Sequence, residues 1–529
     1  MDILNLNDYL EGKTADEAFV ACFTAAEALH RPVKVIIPPG EYHLSALEPI
    51  RLFSGLHVIA DGAEFFFPES MEEPVHRTMF QGTDVCDFSW LGGRFHGNVY
   101  DVPPAKPTWR PEACGRCIAI ETSEHGRTSG LRFDGIQGKD CAGGVVTVYG
   151  HSFDGVRNKA ADIVVTNCNF DRCGKFMWDY GYLWERLAFP ELFTQDERMV
   201  AERFFPMQNV SGDVRFKGES IEVDGLPPLK PEPRYPFDGV CFFGDTLPPE
   251  IQKGKAYFIV GIKNGEITIS EMPDGVPLKT TPSRGGTRLF RNLFDVFHWN
   301  YAPQNQGPGK GGLDLICCRD VSVSGCSLSA NGDTMHIKES SDVVFCNNRI
   351  KGSRMGAFFL AFDCDHVTAS GNVVNGTNGS RVLTVEKGCR DVVISDNVFY
   401  NGGRGCWFNN VESLILKGNV FRDNVLKGVP SCGRHSPFSG AFERYPELYF
   451  AHARKGYGNI IVSDNIIQAT ESNTEPTILF QENGHDLLVE NNIFRSGTRQ
   501  VAVAEGVEVN CNGNIGISEI NHRGISEAL

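Results

Sequence analysis

Residues 318–328 read CRDVSVSGCSL, residues 340–350 SSDVVFCNNRI, residues 364–374 CDHVTASGNVV, residues 389–399 CRDVVISDNVF, and residues 411–421 VESLILKGNVF. Each segment runs through a β-branched strand and then places Asn or Cys two positions before an apolar residue. The strand-opening Val321, Val343, Val367, Val392 and Leu414 are 22, 24, 25 and 22 residues apart, a period in the solenoid range. A period of this length is one coil of a parallel β-helix. Further copies stand at 163–170 (IVVTNCNF), 460–467 (IIVSDNII) and 487–494 (LLVENNIF), so the solenoid is expected over most of the chain. Equivalent residues of successive coils then stack about 4.8 Å apart, which fixes where to look for function.

Length and composition agree with one long solenoid carrying insertions. The chain has 529 residues, of which 41% are hydrophobic and 22% charged, as in ordinary soluble proteins. A formal net charge of −16 argues against a general nucleic-acid or anionic-membrane binder. The N-terminus, MDILNLNDYLEGKTADEAF, has no basic start and no apolar h-region, and no run of about 18 apolar residues follows, so a cytoplasmic location is expected. The 17 Cys are spread through strand and turn positions, several in the repeat's Asn/Cys slot (Cys168, Cys326) or at coil entry (Cys318, Cys364, Cys389), which reads as packed, reduced thiols. Cys114 and Cys117 form a lone CxxC with no second pair; no cofactor and no metal are expected.

Thr14 and Glu17 form a capping box, and Phe19, Cys22, Phe23, Ala26 and Leu29 follow at helical spacing. This N-terminal helix region (1–35) is placed over the open first coil. Next come VKVIIPPGEYHLS (33–45) and LHVIADGAEFFF (56–67). Here the chain resembles the pectin-lyase-like superfamily of carbohydrate enzymes, which implies an all-β, right-handed parallel β-helix. The first part of the helix spans 36–173. Residues 174–206 break the rhythm with an aromatic, then helix-like stretch suited to walling a sugar site, to an oligomer contact, or to covering the solenoid itself. Residues 207–290 carry short strands and turn signals such as Lys263-Asn264-Gly265, an inserted small antiparallel β domain. The second part and its C-terminal cap take 291–529.

Aligned on the strands that follow, Asp333, Arg354, Arg381 and Arg404 share one position in four successive coils. Alternation turns Met335, Ile337, Leu383 and Val385 inward, and Thr334, His336, Lys338, Thr384 and Glu386 outward, with Trp407 among the outward set. Three stacked Arg repel unless an acid or a bound anion offsets them. Either Asp333 pairs with Arg354 as a plain salt bridge, or the face is a groove for an acidic sugar held by His336, Lys338, Arg354, Arg381, Arg404 and Trp407. Where these strands end, Glu339, Asp363 and Glu386 meet at one turn. Asp363 and Glu386 sit on adjacent coils with carboxyl groups expected about 5 to 9 Å apart, a range covering retaining and inverting glycosidases. Turn-forming Asp and a surface Glu–Lys network are the bland alternative.

The segment 311–340 is similar to the polygalacturonase-type glycoside hydrolases. Gly332-Asp333 matches the start of their GDD motif and Asp314 the second Asp of their first motif. Thr334 replaces the second Asp of GDD, Gly311 stands where the first motif's catalytic Asp is expected, and the next coil offers SRMG for GHG. The resemblance implies a carbohydrate-active enzyme. The leading reading is a glycoside hydrolase on an oligosaccharide, with Asp333 or the Asp363/Glu386 pair as acid and base. A polysaccharide lyase using Lys338 and the Arg stack on a uronate, and a non-catalytic binding or structural β-helix, stand beside it. Neither nucleic acid nor membrane is expected as a partner, and a homo-oligomer stays open.

Overall fold

One local backbone choice, repeated coil after coil, builds the molecule. The computed structural model describes residues 1–68, 77–97, 115–141, 143–173, 207–210, 214–223, 238–244, 246–252, 256–263, 265–271, 276–284, 287–293, 311–329, 334–351, 356–376, 381–403, 405–425, 445–451 and 456–523. From the middle of the first sheet onward each strand ends in a turn through one left-handed residue: Gly325, Asn347, Gly371, Asp396, Gly418, Asp464 and Asn491 all have positive φ. Only Gly, Asn and Asp adopt that conformation at low cost, which explains the S-G, C-N, S-D and K-G pairs of the repeat. The next residue, Cys or Asn, then points inward.

Those inward asparagines form a continuous ladder. Asn348 Nδ2 donates to Asn372 Oδ1 at 3.1 Å, Asn372 to Asn397 at 2.8 Å, Asn397 to Asn419 at 3.0 Å, Asn419 to Asn465 at 3.0 Å and Asn465 to Asn492 at 2.9 Å. Each also donates to a backbone carbonyl of the coil before it, as Asn372 does to Phe345 and Asn419 to Ile394. A buried amide with both hydrogens and its oxygen engaged costs little, whereas an apolar side chain here would orphan a backbone N–H and a carbonyl of the coil before it, as at Asn348 and Phe345.

Among the described residues, three parallel sheets of 14, 13 and 12 strands result. In the first, Val321, Val343, Val367, Val392 and Leu414 lie in register, as their spacing predicts. All five are buried, and with Met335, Ile337, Leu383 and Val385 of the 13-stranded sheet they belong to one core that runs the length of the solenoid. We call the 13-stranded sheet the groove sheet and the 12-stranded one the corner sheet. The helix Ala15–Glu27 starts in a capping box in which Thr14 and Glu17 bond reciprocally, and Phe19 packs on Tyr42, Phe65 and Phe80 at ring distances of 5.4, 6.0 and 5.5 Å. It closes the first coils. Among the described residues no helix is long and apolar enough to cross a membrane.

An eight-stranded antiparallel sheet spanning residues 207–293 has its own core, including Phe216, Val240, Phe242, Tyr257 and Ile267. The solenoid continues across this insertion without loss of register: Val146 pairs with Leu313, Ile163 with Val321 and Phe170 with Leu328. The 174–206 stretch lies outside the described residues. A second departure is an antiparallel hairpin, His151–Phe153 with Val156–Asn158, closed by Asp154 and Gly155 at φ 48° and 82°. Positive φ at both central residues matches the twist of a two-residue hairpin.

Candidate functional site

The outward face of the groove sheet collects the polar side chains. In register on successive coils stand Thr147, Asp314 and His336, then Phe359, Thr384, Trp407 and Tyr449. The first part of this row is dry: Thr147, Asp314, His336 and Thr384 are all buried. The His336 ring lies against Phe359 with centroids 5.2 Å apart. Burial and the Asp314 carboxylate together push the Tyr149 phenol well above its ordinary range. The accessible chemistry begins further along, where Lys338, Arg381, Glu386, Trp407 and Asn409 are all partly exposed.

At the turn after the groove strands, the charges form a small network centred on Arg157 and Glu339. Glu339 is buried and takes Lys338 at 2.9 Å, Arg157 at 3.6 Å and the hydroxyl of Ser152. Asp363, half exposed, takes the Arg157 guanidinium at 2.7 Å, and Glu386 takes Lys387 at 3.2 Å. The Asp363 carboxylate raises the Arg157 pKa still further. Between the two lysines lies the Phe362 ring, with ammonium groups 4.7 and 4.2 Å from its centroid, a cation–π arrangement on adjacent coils. Phe362 and Asp363 both adopt left-handed φ, 52° and 57°. For a bulky aromatic that conformation is costly and persists only where the surroundings enforce it. Gly388 leaves room for the acid: a Cβ there would lie 2.5 Å from Asp363 Oδ1.

One coil along, the Arg381 guanidinium lies over the Trp407 ring at 4.4 Å and the Tyr445 ring at 5.1 Å. Trp407 meets Tyr449 edge to face at 4.9 Å, and both join Leu479 and Ala502 in an apolar cluster outside the solenoid core. Just behind, Glu447 is wholly buried; its carboxylate accepts the Asn424 N–H at 3.1 Å, while its second oxygen is unpartnered. Burial pushes its pKa up to about 8.

The structure therefore brings together His336, Lys338, Asp363, Glu386, Arg381 and Trp407 on one side of the solenoid. His336 and Thr384 point outward, as alternation requires, yet both are buried instead of lining an open face. Asp333, Arg354 and Arg404 lie outside the described residues, as does Cys114. Cys117 sits with its sulfur 3.8 Å from that of Cys141, a neighbour on the following coil. Among the described residues no group of three or more His, Cys, Asp or Glu gathers as a metal site. The sequence reading passed over Arg157 and Ser152, although Asp154-Gly155 between short polar-apolar runs is a hairpin signal.

A model of the right-handed β-helix region matches residues 297–440. The fold is a right-handed parallel β-helix. No curated protein matches the sequence. Solved structures similar to this β-helix include an exopolygalacturonase of Thermotoga maritima, 11% identical with a TM-score of 0.49 over 93% of this chain and 91% of that one. They also include PfbA, a surface adhesin of Streptococcus pneumoniae, 10% identical with a TM-score of 0.46 over 97% and 91%. A mannuronan C-5 epimerase module of Azotobacter vinelandii is 11% identical with a TM-score of 0.40 over 97% and 98%. At this distance none of them assigns an activity or a residue role to the β-helix described here.

Proposed function

We propose that this β-helix is a carbohydrate-active protein whose groove-sheet face holds an acidic oligosaccharide, and that hydrolysis of a glycosidic bond is the activity the face supports best. The observation that carries the reading is the Arg381–Trp407 pair, a guanidinium laid on an indole at 4.4 Å on the coils that also carry Glu386. The part of the Trp407 ring left open to solvent can pack against sugar C–H groups, and the guanidinium laid on it matches a carboxylate. Glu386 and Asp363, on adjacent coils, supply two carboxyl groups for acid and base work. Asp363 is the better fixed of the two, held by Arg157 and by the space over Gly388.

Elimination at a uronate is a second reading, favoured by the two ammonium groups of Lys338 and Lys387 on either side of Phe362. A screen against neutral and uronate-containing oligosaccharides, read for new reducing ends and for ultraviolet absorbance together, separates them. Reducing ends without absorbance, lost in Glu386→Gln and Asp363→Asn, support hydrolysis. Absorbance that depends on Lys338 replaces it with elimination. Silence in both channels with saccharide binding retained and lost in Trp407→Ala leaves a binding protein.

A further inference from the structure

The corner sheet turns a row of apolar side chains to solvent. Its three-residue strands present their first and third side chains outward, and along the coils the first position reads Val373, Val398, Val420, Ile466 and Ile493, with Ile515 bridged onto Ile493. Val373, Val398 and Ile515 are 39%, 36% and 65% exposed. Single exposed aliphatics are ordinary on a soluble protein, but six in a straight line over about 24 Å, at about 4.8 Å per coil, form a contiguous stripe.

The two flanks of the stripe differ in chemistry. On one side stand the third-position residues Tyr400, Arg422, Gln468 and Arg495, all hydrogen-bond donors, with Arg422 and Arg495 well exposed. On the other side the left-handed corner residues present Asp396 and Asp464, both exposed. Within one chain Arg422 lies 3.5 Å from Asp423 and Lys417 lies 3.9 Å from Asp464, loose surface pairs that a second copy can exchange. With Arg422 and Arg495 along one edge and Asp396 and Asp464 along the other, the stripe is complementary to itself in one orientation only.

We propose that this face binds a second copy of the chain, with the two solenoid axes parallel. A two-fold axis along the solenoid sets each coil against its own counterpart and exchanges the flanks. Asp396 then faces Tyr400 of the second copy and Asp464 faces Gln468. Arg422, one coil from each acid, comes within reach of both carboxylates across the contact. A two-fold axis perpendicular to the solenoid would set Asp against Asp and Arg against Arg, which like-charge repulsion disfavours. The stripe is about 24 Å long and only a few side chains wide, at the small end of specific interfaces, so the dimer is a weak one with a Kd in the micromolar range.

Sedimentation velocity on the full chain from about 1 to about 200 µM tests this, across the range where a micromolar Kd shows. The expected result is a concentration-dependent shift from monomer to dimer that Val398→Lys abolishes, with circular dichroism unchanged because the side chain faces solvent. Arg422→Asp should weaken the dimer about tenfold, and Arg422→Asp combined with Asp396→Arg and Asp464→Arg should restore it. A monomer at the highest concentration overturns the proposal. So does a dimer indifferent to both Val398→Lys and Ile466→Lys, and failure of the charge reversal to rescue overturns the parallel arrangement. None of these readouts depends on catalysis.

Discussion

Replacing Glu447 by Gln should abolish most of one pH dependence of stability. Glu447 is fully buried, one of its oxygens is unpartnered, and its pKa stands at about 8 against an ordinary 4.5. Desolvation is the main cause; the carboxylate of Asp423 adds to it, and bonds from Asn424 oppose it. Between pH 4.5 and 8 the folded chain keeps this proton while the unfolded chain releases it. The contribution is therefore fully present below pH 4.5 and is lost as pH rises, at about 1.4 kcal/mol per pH unit. Across the whole window it amounts to about 5 kcal/mol at most, an order-of-magnitude ceiling. At about 2.1 cal/mol/K of unfolding entropy per residue, 1 kcal/mol moves the melting temperature of a chain this long by about 1 °C. Thermal melts of wild type and Glu447→Gln at pH 5, 6, 7 and 8 should then diverge by roughly 4 °C, the variant gaining as pH rises. Because a chain this size need not unfold in one step, hydrogen exchange of the strand Leu448–Ala451 at each pH gives the local version of the same comparison. Parallel pH curves for the two proteins, by both measures, would refute the reasoning.

Asn419→Ala should cost about 3 to 5 kcal/mol, because in a dry corner it takes away the acceptor of the Asn397 backbone N–H and the side-chain donor to the Ile394 carbonyl, and urea titration measures it. Gly388→Ala should destabilise by about 1 to 2 kcal/mol, since φ is +90° there and the new Cβ would displace Asp363; in an Asp363→Ala background the steric part should disappear. Arg157→Ala leaves Glu339 and Asp363 without their shared cation, and proteolysis near Gly155 should accelerate as the hairpin loosens, with Arg157→Lys largely protecting it. Trp407→Ala should weaken saccharide binding by about tenfold without changing the melting temperature by more than about 2 °C, as calorimetry and thermal melts together would show.

The regular part of this fold was written plainly in the sequence because its causes are local and repeated. Val321 to Leu414 stack as their spacing requires, and the Asn/Cys slot became the ladder from Asn348 to Asn492. The capping box at Thr14 is equally local. The site was legible only in direction. Alternation told which way His336 and Thr384 point, but whether an outward side chain meets water depends on what lies above it, and both turned out buried. The partner of Asp363 is Arg157, far away along the chain, and no periodicity links the two. Glu447 follows the same rule, since its burial comes from the coil corner that encloses it and not from any pattern around it.

From the third coil on, the passage from the first sheet to the corner sheet takes two residues, as from Leu91 to Arg94, from Thr166 to Asn169, from Ser395 to Val398 and from Glu490 to Ile493; in the first two coils, from Ile36 to Gly40 and from Ile59 to Ala63, it takes three. The passage from the corner sheet to the groove sheet takes anything from a few residues to the whole stretch between Asp171 and Leu313, while the pairing on either side stays in step. The solenoid thus behaves as a spindle with one nearly sealed edge, one that admits a hairpin such as His151–Asn158, and one open to whole grafts. New sequence can be spliced in at the open edge without resetting the thread, and whatever is spliced there emerges beside the groove sheet. A lineage can alter what that face meets by exchanging branches and leave the spindle itself untouched.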